Sequence, residues 1–108
     1  MKSAGISRKF FGFDTPPETL AEWAKDSSRE AVGLRVHVAK HRNTSPETLA
    51  ELAKDDYVDV GFAVAQNPNT SVETLIALID GKNHFVREAV FENPNCPIEL
   101  KVEYILSS

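Results

Sequence analysis

Three stretches of this chain repeat nearly the same phrase: AKHRNTSPETL at residues 39–49, AQNPNTSVETL at 65–75 and FENPNCPIEL at 91–100. Thr44 to Thr70 is 26 residues, and Thr70 to Cys96 is 26 again. An earlier copy, TPPETLAEWAKD, opens at Thr15 and lies 29 residues before Thr44. A fixed period in this range, without low-complexity bias, is the signature of a stacked array of small supersecondary units. No unit of that size buries its own apolar face, so each depends on its neighbours.

Each copy opens with residues suited to starting a helix. Thr15, Thr44 and Thr70 are followed three residues later by Glu18, Glu47 and Glu73. That spacing predicts a capping box, with the threonine as N-cap and the glutamate reaching back to it. Pro16, Pro17, Pro46 and Pro97 fall in the first turn, where a missing N–H costs little. The fourth copy puts Cys96, a poorer cap, in the threonine position and keeps Glu99.

The apolar residues of the first helices recur at helical spacing: Leu20, Trp23, Ala24; Leu49, Leu52, Ala53; Leu75, Leu78, Ile79. They predict helices of roughly ten residues, about 15 Å long, which are marginal alone. A second set, Leu34 and Val38, then Val60, Ala63 and Val64, then Val86, Ala89 and Val90, predicts a short second helix. In two copies it stops at Asn-Pro-Asn, where Pro68 and Pro94 disfavour a helical conformation at the preceding Asn. No alternating apolar run argues for a strand. The expected fold class is all-α, with residues 14–108 forming one helical repeat domain and residues 1–13 a capping segment. In that segment Phe10-Phe11-Gly12-Phe13 is expected to plug one end of the stack, and VEYILSS to close the other.

VREAVFENPNCP and VGFAVAQNPNTSVETLIALI together resemble the leucine-rich repeat variant family, over about residues 14–106. The resemblance implies a right-handed superhelix (a solenoid) of about three and a half two-helix units, the second helix being either α or 3₁₀. HEAT-type helical repeats are the neighbouring architecture. One member of that family carries an iron–sulfur cluster beside its repeats. Such clusters need about four cysteine thiolates, and this chain has only Cys96. No cofactor is therefore expected.

Composition sets wider bounds. At 108 residues, with 42% hydrophobic and 26% charged residues, the chain is one ordinary folded domain. No run of 18 apolar residues offers a membrane span, and MKSAGISRKFFGF lacks the apolar core of a secretory signal. With its single cysteine the chain reads as cytoplasmic. The net charge of −4 divides unevenly, +3 over residues 1–42 and −7 over 43–108. Such a division either orients a partner or reflects uneven solvation.

Sites of chemistry are scarce. His37 and His41 share a helical face, but no Glu, Cys or further carboxylate stands at metal-ligand spacing, so no metal is expected. No nucleophile elbow, phosphate loop or triad pattern is present, and an enzyme is not expected. Arg35 and Arg87 share a repeat position, with Gly61 between them. Asp26, Asp55 and Asp80 end the preceding helices, and the resemblance to helical repeats implies that they pair with the arginines in a ladder along the stack.

Arg35, Lys40, His41 and Arg42 form the densest basic run, and His41-Arg42 replaces the Asn-Pro of the other copies. The run reads either as an anion-binding edge or as an end copy departing from consensus. Phe62, with Val36 and Glu88 at the equivalent positions, points away from the predicted core stripe. It reads either as packing between copies or as an aromatic anchor for a partner. The candidate interaction surface is thus Arg35, Val36, Lys40, His41, Arg42 and Phe62. The expected function is a non-catalytic scaffold for a protein or peptide. Nucleic acid, bound through the basic N-terminal half, is the alternative partner, and a homodimer through an open end of the array is an alternative to a monomer.

Overall fold

Asn67 and Asn93, which the sequence offers only as turn residues, explain how the copies are joined. The computed structural model describes residues 14–81 and 83–107. The Phe10–Phe13 plug and the 1–13 capping segment lie outside the described residues. Among the described residues all regular structure is helical. Helix α1 is Pro17–Ala24; a single 3₁₀ turn, Arg29–Ala31, precedes α2 (Val32–Lys40). Next come α3 (Pro46–Leu52), α4 (Val58–Gln66), α5 (Val72–Ile79), α6 (His84–Glu92) and α7 (Ile98–Ser107). Helix α4 packs against both α2 and α6, while α1, α3 and α5 lie against this row. The described residues span 55 × 25 × 17 Å.

The core keeps the period of the repeat. Leu20, Leu49 and Leu75 occupy one position and are fully buried, as are Val38, Val64 and Val90 at another. Each fully buried aliphatic side chain contributes roughly 1.5–3 kcal/mol. The first helices are shorter than expected, seven or eight residues. The second helices are nine-residue α-helices, so the 3₁₀ alternative is confined to the one turn before α2.

The threonine caps are corrected by the structure. Thr44 and Thr70 are fully buried, and their hydroxyls donate backwards to the carbonyls of Val38 (2.6 Å) and Val64 (2.7 Å). The N-caps are the next residues, Ser45 and Ser71, whose Oγ atoms accept from the N–H groups of Thr48 and Thr74 at 3.2 Å. That shift places Glu47 and Glu73 one position short of a capping box, and both side chains are exposed. In the first copy the cap position holds Pro16, which offers no side-chain acceptor.

A helix leaves its last four carbonyls without internal partners, and here the next copy supplies donors. Asn67 Nδ2 donates to the carbonyls of Ala39 (2.8 Å) and His41 (3.0 Å), at the end of α2. Asn93 Nδ2 does the same to Ala65 (2.7 Å) and Asn67 (2.9 Å), at the end of α4. Both asparagines are buried, and each Oδ1 accepts from the N–H two residues on, at 2.8 Å. The second asparagine of each turn adds a parallel row. Asn69 reaches the carbonyls of Arg42 and Thr44, Asn95 those of Pro68 and Thr70, and Asn43 that of Thr15.

Substituting Asn67→Ala removes three such bonds and leaves buried carbonyls without donors. At about 1 kcal/mol each, the expected loss is about 3 kcal/mol. Ser71→Ala, a lost N-cap, is expected to cost about 1 kcal/mol. Denaturant midpoints at unchanged slope measure both, and equal losses would show that the asparagine bonds carry no special weight.

Candidate functional site

The six candidate residues divide between interior and surface. Arg35 is 2% exposed and fully engaged. Its Nη1 donates to the carbonyls of Asp26 (2.5 Å) and Ser28 (2.8 Å), and its Nε to the carboxylate of Asp55 (2.5 Å). Arg35 is therefore a bridge between copies and is withdrawn from the interaction surface. Burial raises the Asp55 carboxyl, but the Arg35 hydrogen bond, the Tyr57 N–H and the Arg35 charge outweigh it, and the group ends below its ordinary value. Asp26 and Asp55 also each accept from the N–H two residues on, forming equivalent turns.

The arginine–aspartate ladder is realised once among the described residues. Arg87 donates through Nη1 to the carbonyl of Gly81 (2.7 Å) and through Nε to the Tyr104 hydroxyl (3.1 Å). A phenol stands where the first copy uses a carboxylate, because α7 brings Tyr104 over Arg87 and against Phe91.

His41 is the second correction. It is 7% exposed, and its Nδ1 accepts from the Asn43 N–H at 3.0 Å, as the Oδ1 atoms of Asn67 and Asn93 accept in their turns. Its backbone is extended like theirs, with φ −75° and ψ 137°, although no proline comes after it. Arg42 contributes its carbonyl to Asn69, as Pro68 does to Asn95. An imidazole thus reproduces the asparagine acceptor, and a backbone carbonyl is all the next position must supply. The basic run consequently presents only Lys40 and Arg42 outward.

His37 packs its ring edge-on to His41, with centroids 5.8 Å apart. Burial holds the His37 imidazole below its ordinary value, and the charges of His41 and Lys40 act in the same direction. Among the described residues no group of three or more His, Cys, Asp and Glu side chains is placed to hold a metal ion. Burial likewise raises the Cys96 thiol, which packs in the core.

The outward face of the α2–α4–α6 row carries the remaining candidates. Val36 is half-buried against the core, while Phe62 is 36% exposed. Phe85, which the repeat pattern does not single out, is 60% exposed and stacks on His84. Its equivalents are Gly33 and Asp59, so no recurrence marks it. At the end of the face, Lys40, Gln66 and Glu92 occupy one repeat position, and all three are exposed. The charge therefore runs from positive through neutral to negative across the row.

Helix α7 carries residues 102–107 of the segment expected to close one end. Ile98, Val102, Ile105 and Leu106 form an exposed apolar stripe along it. No helix among the described residues is long and apolar enough to cross a membrane. No protein-family model matches the chain, and neither the curated proteins nor the solved structures contain a match.

The two histidines give separate expectations. His41→Asn retains the acceptor and is expected to leave stability within about 1 kcal/mol of the parent, whereas His41→Ala abandons the Asn43 N–H and costs about 1–3 kcal/mol. Equal midpoints for the two variants would show that the Nδ1 bond carries no weight.

Because His37 and Asp55 both lie below their ordinary values, each contribution is complete above that value and lost as pH falls through it. The losses begin near 6.5 for His37 and near 3.8 for Asp55. His37→Ala, which installs the residue of the equivalent positions 63 and 89, is expected to flatten the stability profile between about pH 7 and 5. An unchanged slope in chemical denaturation across that range would show that His37 does not titrate on unfolding.

Proposed function

We propose that the chain is a non-catalytic, solenoid-type repeat scaffold, of the kind the leucine-rich repeat variant resemblance implies, that binds a protein or peptide along the α2–α4–α6 face. The observation that carries this reading is the pair of outward aromatic rings, Phe62 and Phe85, on neighbouring helices whose relative position is fixed by buried hydrogen bonds. Aromatic groups already held in place lose little freedom on binding and dominate interface energies. The charge series Lys40, Gln66, Glu92 gives an extended ligand a preferred direction. Nucleic acid, bound through the basic N-terminal half, remains the alternative partner, although Arg35 and His41 of its densest basic run are buried.

Selection of peptides from a random display library on the immobilised chain tests the reading. Selected peptides are expected to bind at least about tenfold more weakly to Phe62→Ser, the loss of a moderate hot spot, while the melting temperature holds. Failure to select any peptide, or equal binding by the variant, argues against it. Binding to single-stranded or duplex nucleic acid with a steep salt dependence, unaffected at Phe62, would favour the alternative instead.

A further inference from the structure

Positions 35, 61 and 87 are equivalent in the three successive copies, and only the middle one lacks an arginine. In the flanking copies the guanidinium has a repeated receptor. Arg35 Nη1 donates to the Asp26 carbonyl, and Arg87 Nη1 to the Gly81 carbonyl. The middle counterpart of those two carbonyls belongs to Asp55, and among the described residues no side-chain donor reaches it.

Nothing local demands glycine at position 61. Its φ is not positive, and it lies in the interior of α4, where glycine is disfavoured relative to alanine. An added Cβ would meet Leu78 Cδ2 at 3.7 Å, an ordinary contact. What glycine leaves is space, a cleft of about 250 Å³ lined by Gly61 and Gly81, whose polar lining includes Asp55, Asp56, Tyr57 and Asn83. The cleft lies in the acidic part of the chain, where residues 43–108 carry a net −7.

We propose that this cleft takes the guanidinium of an arginine carried by a bound peptide, in the place that Arg35 and Arg87 fill from within the chain. A planar fork of five donors suits a receptor made of a carbonyl and neighbouring carboxylates, whereas an ammonium offers only a point charge. Asp55 keeps its carboxylate on Arg35, so Asp56 supplies the free negative charge and the Asp55 carbonyl the directed acceptor. The inference rests on the peptide-binding reading above, and it adds the chemistry of one anchor residue.

Titration of the isotope-labelled full chain with N-acetyl-arginine amide at low salt, monitored by NMR amide shifts, tests the site. Saturable shifts confined to Tyr57, Gly61, Gly81 and their neighbours are expected, weaker with the lysine analogue and absent with the uncharged citrulline analogue. Gly61→Arg fills the cleft from within and is expected to abolish the shifts and raise the melting temperature. Gly61→Met fills it without charge and Asp56→Asn removes the carboxylate; each is expected to weaken or abolish the shifts, whether or not Gly61→Arg folds.

Shifts that persist in the filled variants, appear equally with citrulline, or spread over the whole acidic surface would overturn the proposal, as would no saturable shift at all. The two readings fail separately. Peptides that require Phe62 yet show no arginine preference and no cleft shifts sink only the arginine site. Cleft shifts with arginine amide, in a chain that selects no peptide, sink the scaffold reading and leave the site.

Discussion

The molecule depends on a single kind of contact, the buried asparagine amide that reaches from one turn to the helix end of the copy before it. Helices of nine residues have nearly half their carbonyls in the last turn, so a row of them carries an unusual burden of unpaired acceptors. Asn67 and Asn93 relieve it from the following turn, 26 to 28 residues on, while Thr44 and Thr70 relieve it from only six residues on. The same amide oxygen holds its own turn closed. Because the bonds are directional, they fix the spacing and rotation of successive copies, which leucine and valine packing alone would leave adjustable.

The arginine positions form a second, less regular seam. Arg35 spends its donors on two carbonyls and a carboxylate from different copies, a buried arrangement whose value lies more in fixing geometry than in net stability. Polar groups that look like surface chemistry in the sequence are in this way consumed by architecture. On the outward face of the α2–α4–α6 row, by contrast, Phe62, Phe85, Lys40, Gln66 and Glu92 remain exposed.

How much is legible in the sequence depends on the length scale of the signal. Helical class, core positions and period are visible because Leu20, Leu49 and Leu75, and Val38, Val64 and Val90, recur at fixed spacing. The threonine caps are misplaced because Thr-Ser pairs at 44–45 and 70–71 offer two adjacent hydroxyls. Burial chooses which one turns inward, and burial is a tertiary quantity. His41 reads as a cation because its neighbours are Lys40 and Arg42. Its service as a stand-in for asparagine shows only when Nδ1 is found on the Asn43 N–H. The asparagine joints do leave a trace, since Asn43, Asn69 and Asn95 recur in the last three copies, with Asp14 at the equivalent position of the first. A turn explains such recurrence equally well until the partners 25 to 28 residues away are seen.

Helix α7 lies where the pattern stops. Among the described residues no side-chain amide crosses to the carbonyls of Phe91 and Asn93, as Asn67 and Asn93 cross to their counterparts at 39, 41, 65 and 67. The outer stripe of α7, Ile98, Val102, Ile105 and Leu106, is already exposed, so local opening of this helix uncovers little further apolar surface.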